Sequence, residues 1–226
     1  MKSACYCGTR NLYGDMLPAL KSLLKNSDVD RVYLLIEDDT FPYELPSQVS
    51  TINVSNQPWF RHDGPNYKNH WTYMVLMRAA LHRVFPNIDR ILSLDVDTIV
   101  AKDVSDLWDY DIDNYWIAGV KEPHKSVSRL YINAGVMLLN LKKLREDGKG
   151  DEIIEALNTR HYGFNEQDCI NELCQGGILE IPSDYNSSNW TVPTTTPKIV
   201  HYAAIQHYQG APLVKMYQDM DWPKRG

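Results

Sequence analysis

Apolar positions in this chain come in two rhythms. Short continuous runs read as buried strands: SACYCG near the start, RVYLLIEDD, RILSLD, YWIAGV and YINAGVMLLN, with TINVS a weaker case and GILEI and KIVHY completing the set. Between them, apolar residues recur at helical spacing. Met16, Leu17, Leu20, Leu23 and Leu24 share one face of a helix after TRNLYGD, which Asp15 is expected to cap and Pro18 to enter in the first turn. A helix is expected from Thr72 through Met74, Met77, Ala80, Leu81 and Val84 to Pro86, a short one around VSDLWD, and two more over DEIIEALNTR and FNEQDCINELCQ. The opening order is β-α-β-β, and no linker separates these elements from the later ones. The expectation is one α/β domain over residues 1–226, with a mixed, mostly parallel sheet flanked by helices on both faces.

Composition narrows the class without naming the chemistry. With 226 residues, 43% hydrophobic and 11% aromatic, the chain can bury a substantial core. Its net charge is −6 and no Lys/Arg run is present, which argues against long nucleic acid as a partner. The first strand begins close to Met1 and no apolar run approaches the length of a membrane span, so no signal peptide and no integral membrane segment are expected. The expected location is cytoplasmic, with attachment to a membrane surface left open. Cys5, Cys7, Cys169 and Cys174 are spaced as neither a zinc knuckle nor a disulfide scaffold and read as free thiols.

The candidate chemistry lies in LSLDVDTIV. Asp95 and Asp97, two apart at the end of a strand, would point to one face and could share a hard cation, at the sheet edge where open α/β folds bind ligands. Otherwise they are a carboxylate pair that needs hydrogen-bond donors beside an apolar strand. LSLDVDT also satisfies the D-x-D-x-T pattern of haloacid dehalogenase-like phosphatases, in which Asp95 would be the nucleophile. Against that, a long αβ stretch precedes the motif and the acidic pair Asp38 and Asp39 lies upstream.

Taken together, TRNLYG, the Arg of MRAALHRVFPNIDRILSLDVDTIV, INAGVMLLN, NEQDCIN, IPSDYN and VHY, in that order, resemble the retaining glycosyltransferases of family 8 over nearly the whole chain. The resemblance implies a GT-A fold with a Rossmann-like nucleotide-binding part at about 1–110 and an acceptor and catalytic part at about 111–226. It implies a metal-dependent transfer of a hexose from UDP-glucose or UDP-galactose to an acceptor hydroxyl, that of a glycan being expected. Asp95, Asp97 and His201 would hold Mn2+, Mg2+ being the alternative, with Val96 among the donor contacts. Thr9, Asn11 and Tyr13 match the turn that wraps the nucleoside, although ordinary turn chemistry explains them as well. Arg78 matches an Arg that reaches the donor, or is a helix-surface ion pair. Asn133 matches an Asn on the sugar hydroxyls, with Gly135 allowing close approach, or is a strand-end hydrogen bond. Gln167, Asp168 and Glu166 match the group near the anomeric carbon, or are acids favoured at a helix N-terminus.

The departure from the family pattern is HYAAIQHYQG. Ala204 stands where the family has Gly, and His207 where it has a diphosphate-binding Lys; Lys198, Lys215 or a protonated His207 are the substitutes. This keeps a non-catalytic sugar-nucleotide binder in view. The acceptor is expected over residues 55–71 and SDYNSSNWTVPTTT, whose aromatics either stack on sugars or pack the loops. The ending MDWPKRG lacks the longer basic and aromatic tail of membrane-associated relatives. Oligomeric state is not legible.

Overall fold

The computed structural model describes residues 1–68 and 71–222. Asn69 and His70 of the expected surface loop, and the last four residues of the MDWPKRG ending, lie outside the described residues.

In chain order the elements are β1 (Ser3–Cys7), α1 (Tyr13–Asn26), β2 (Arg31–Ile36), β3 (Val49–Asn53), α2 (Leu81–Val84), β4 (Arg90–Leu94), β5 (Thr98–Val100), β6 (Ile117–Lys121), β7 (Ile132–Asn140), α3 (Leu141–Glu146), α4 (Lys149–Thr159), α5 (Asn165–Leu173), β8 (Ile178–Glu180), β9 (Ile199–His201), α6 (Ile205–Tyr208) and α7 (Pro212–Gln218). Seven strands form one sheet in the order β3-β2-β1-β4-β7-β6-β8. Its pairs are parallel except for β7, which runs antiparallel to both β4 and β6. The sheet is therefore mixed and mostly parallel, as expected. Its central strands are largely hydrophobic because both faces are covered, whereas the edge strand β3 is more polar and partly exposed. On β4, Ile91 enters the core that also holds Met77, Ala80 and Cys169, whereas Leu92 and Leu94 enter the opposite core with Tyr6, Met16 and Leu20.

Several local expectations are corrected. A 3-10 turn over Arg10–Leu12 runs straight into α1, so the helix starts before Asp15 and Asp15 caps nothing; its carboxylate instead accepts from Gln209 Nε2 at 3.1 and 3.3 Å. Pro18 then falls in the second turn, where it leaves the Gly14 carbonyl without its helical donor. The expected helix after Thr72 is a 3-10 helix over Tyr73–Ala80, followed by the single turn α2. This tighter winding puts Met74, Met77 and Ala80 in one row and carries Arg78 inward to the buried Glu166 and the half-buried Asp95. KIVHY supplies β9, which does not join the main sheet but forms a two-stranded antiparallel ribbon with β5.

Among the described residues no helix is long and apolar enough to cross a membrane. The four cysteines are free, with Cys5, Cys169 and Cys174 buried.

Candidate active site

β4 stops at Leu94, so Asp95 and Asp97 are brought together by a tight turn and not by the pleat of a strand. Thr98 closes that turn, its N–H and Oγ1 both donating to the Asp95 carbonyl at 3.2 and 2.7 Å. The antiparallel register of the ribbon then sets His201 opposite Thr98. As a result one ligand atom from each of Asp95, Asp97 and His201 lies within 4.8 Å of the others. His201 Nε2 is 3.3 Å from Asp97 Oδ1 and 3.8 Å from Asp95 Oδ2. Burial alone would push the imidazole down, but Asp97 and then Asp95 outweigh it and hold it above its ordinary range. Likewise burial would raise the Asp97 carboxyl, and His201 holds it low instead.

The orientation of the His201 ring comes from behind. Nδ1 meets Oδ1 of Asn186 at 2.9 Å, and Asn186 Nδ2 donates to Asn133 Oδ1 at 2.9 Å. Gly135 on β7 lies against the ring, which occupies the space a side chain would need. Val96, between the two aspartates, is buried in the core beneath the turn.

Arg78 is 7% exposed and spans two acids: Nη1 donates to Asp95 and to the Ala134 carbonyl, and Nη2 to Glu166. It is thus an interior ion pair and not a helix-surface one. Glu166 is 1% exposed, and burial pushes its carboxyl up to about 7 even though Arg78 pulls the other way.

Gln167 and Asp168 complete a network around Tyr131. Gln167 Oε1 accepts from the Ala134 N–H at 2.9 Å, while Nε2 donates to the Tyr131 hydroxyl at 3.1 Å and to Glu122 at 3.2 Å. Asp168 accepts from the Tyr131 hydroxyl and from the Phe164 N–H. Asn133 Nδ2 donates to Glu122 at 2.6 Å. One hydrogen-bonded chain therefore runs from Asp168 through Tyr131, Gln167, Glu122, Asn133, Asn186 and His201 to Asp97.

Thr9, Asn11 and Tyr13 sit at the turn after β1. Thr9 Oγ1 donates to Asn11 Oδ1 at 2.6 Å; Tyr13 is buried against Phe41, and its hydroxyl donates to Asp38 at 3.0 Å. The Tyr13 ring thus packs into the core beside the turn. His207 is exposed on α6 and is not among the residues whose ligand atoms converge. Lys198 is engaged by Asp106 and Lys215 by Asp219.

Sequence reasoning missed Glu122, Tyr131 and Asn186, all buried. Glu122 follows β6, which lies beside Asn133 only through a register that shifts between Gly119 and Val120. Asn186 was inside a motif already singled out, IPSDYN, but nothing local marks it as the partner of a histidine fifteen residues on.

A model of glycosyl transferase family 8 matches residues 5–213. Lipopolysaccharide 1,2-glucosyltransferase of Escherichia coli K12 is 32% identical over 133 residues, covering 50% of this chain and 39% of that protein. Glycosyltransferase GlyA of Streptococcus pneumoniae serotype 4 is 24% identical over 230 residues, 93% of this chain and 33% of that protein. The chain thus spans well under half the length of these relatives. Among solved structures, galactosyltransferase LgtC in complex with donor and acceptor sugar analogs superposes with a TM-score of 0.73 at 18% identity, covering 96% of this chain and 95% of the other. Glycosyltransferase GlyE of Streptococcus pneumoniae TIGR4 gives 0.75 at 19% identity, covering 98% and 61%. At such identities the likeness is one of fold.

Proposed function

The chain belongs to glycosyl transferase family 8 and has a GT-A fold, and from that premise we propose a metal-dependent retaining hexosyltransferase acting from UDP-glucose or UDP-galactose onto a hydroxyl of a glycan. The observation that carries this reading is the convergence of Asp95, Asp97 and His201. Two carboxylates and an imidazole suit Mn2+ better than Mg2+, which prefers oxygen ligands and retained waters. When bound, the dication would offset the negative charge that grows on the departing diphosphate.

The remaining roles fall to the chain itself. Arg78 holds Asp95 and Glu166 in place, and the turn of Thr9, Asn11 and Tyr13 supports the nucleoside. Asn133, Gln167, Asp168 and Glu166 orient the hexose. Each of the last three is engaged by a donor: the Gln167 oxygen accepts from a backbone N–H, Glu166 Oε1 from Arg78, and each Asp168 oxygen from one donor. This favours same-face substitution through a short-lived ion pair, with the leaving phosphate accepting the acceptor's proton. Of the three basic substitutes for the family Lys, two are engaged elsewhere, which leaves His207 to face the diphosphate. The acceptor would reach the half-exposed Trp71, Phe164 and Trp190. In this reading the donor part is about 1–110 and the acceptor part about 111–226 of one domain, and the free thiols accord with a cytoplasmic location.

The test is release of UDP from each sugar nucleotide with Mn2+, beside p-nitrophenyl phosphate hydrolysis. Wild type should release UDP and leave the phosphate ester intact, and Asp97→Asn should lose both UDP release and metal-dependent thermal stabilisation by UDP. Stabilisation without release would mark a non-catalytic binder. Ester hydrolysis surviving Asp97→Asn would make the transferase reading untenable.

A further inference from the structure

The loop that joins β6 to β7 runs from Glu122 to Tyr131 and is pinned at its base. The Glu122 N–H donates to the Tyr131 carbonyl at 2.8 Å, while Ser126 Oγ accepts from the Tyr131 N–H at 2.9 Å and donates to its carbonyl at 3.0 Å. Beyond that base the loop stands in solvent, with Val127 88% exposed.

Lys125 ties the loop to the site. Its ammonium lies 3.1 Å from the Tyr131 hydroxyl, which Gln167 and Asp168 also hold, and sits over the ring of Phe164. Phe164 in turn meets Trp71, with ring centroids 5.7 Å apart. The loop therefore borders both the residues proposed to orient the hexose and the exposed rings proposed for the acceptor.

Charge sets this loop apart from the rest of the chain. With 29 Asp and Glu against 23 Lys and Arg, basic side chains readily find acids: Arg10, Arg61, Arg83, Arg90 and Arg160 each hold one. From Pro123 to Leu130 the loop carries His124, Lys125 and Arg129 and no acid. Glu122, at its root, is buried and turned inward to Asn133 and Gln167. Lys125 is shared with Asp168 at 3.7 Å. Arg129 is exposed, and among the described residues its side chain has no ion pair or hydrogen bond. A guanidinium is always charged, and its planar fork matches a carboxylate or a phosphate.

We infer that the acceptor is an anionic glycan, and that Arg129, with Lys125 on the same loop, binds a carboxylate or phosphate group borne near the hydroxyl to be glycosylated; this rests on the transferase reading of the site. A loop that is basic only for solubility would not depend on Arg129 for such a preference.

Thermophoretic titration of the full chain, with UDP and Mn2+ present to fill the donor side, compares maltotriose, maltotriose 6-phosphate and trigalacturonate. At least one charged sugar is expected to bind about tenfold more tightly than maltotriose, the scale of one hydrogen bond between charged groups. Which of them does so distinguishes phosphate from carboxylate. Arg129→Gln should bring the ratio near unity by weakening the charged sugar alone, whereas Lys25→Gln, in the last turn of α1, should leave it unchanged. Equal affinities, no binding of either charged sugar, a preference that survives Arg129→Gln, or one lost equally in Lys25→Gln overturns the inference. Binding of UDP with Mn2+ to the same samples reports separately on the donor reading, which falls only if UDP does not bind.

Discussion

Replacing Gly135 by Ala tests the metal cluster without touching a proposed ligand. A Cβ at this position would lie 2.6 Å from Nδ1 and 2.9 Å from Nε2 of His201, and closer still to Cε1. Non-bonded carbon atoms sit at about 3.5–4.0 Å, so the ring must retreat by roughly 1 Å or more. Its retreat is opposed by Asn186, which is fully buried and holds Nδ1. Gly135 is not among the glycines with positive φ, so the effect is one of space and not of backbone strain. Overpacking of this kind costs about 1–3 kcal/mol of stability. The effect on metal should be larger in proportion, because ligand distances tolerate only about 0.2 Å. We expect Mn2+ affinity to fall at least 10–100-fold, roughly the range for disturbing the groups that merely orient a ligand. Mn2+ titration followed by electron paramagnetic resonance, with urea denaturation in parallel, measures both. Gly14→Ala is the control: its Cβ meets nothing within 4 Å, and its Mn2+ affinity should equal wild type. If Gly135→Ala bound Mn2+ as wild type does, His201 would not be a ligand and the three-residue metal site would be wrong.

Three further outcomes are expected. Arg78→Met strands Glu166 and Asp95 and should cost about 3–5 kcal/mol; because the Glu166 carboxyl already stands at about 7 and can escape by taking a proton, urea denaturation should show a larger loss at pH 8 than at pH 6. His82 is buried, its Nε2 3.1 Å from Asp151 Oδ1, and burial outweighs that carboxylate and holds its pKa below the ordinary imidazole value. The unfolded chain therefore takes up the proton first as pH falls, so His82 contributes fully above about pH 6.5 and progressively less below it; melting temperatures of wild type and His82→Gln should converge on acidification. Trp71→Ala or Phe164→Ala should raise the acceptor KM several-fold while UDP release to water stays unchanged, and equal effects on both would argue that these rings only pack loops.

How much of the molecule was legible beforehand differs by element. The strands, the apolar face of α1 and the order of elements came from hydrophobic period, because burial of each short segment is dictated by its own side chains. The family and its D-x-D motif were visible because several short motifs occur in one order, although the turn that joins the two aspartates was not. The 3-10 winding over Tyr73–Ala80 was not legible: its periodicity suits an α-helix, and what overrides it is Arg78 turning inward to Asp95 and Glu166, two residues from distant parts of the chain. Asp15 misled for a similar reason, since its partner Gln209 lies 194 residues away.

By itself the sequence determined which residues carry charge, which segments must be buried, and which lineage the chain belongs to. Only the tertiary structure decided who meets whom. The β5–β9 ribbon brings His201 to Asp97, and the β6–β7 register brings Glu122 to Asn133. The physical reason is range. Propensity and periodicity act within a few residues, whereas a hydrogen bond or ion pair acts across a few ångströms and is indifferent to how much chain lies between its two ends.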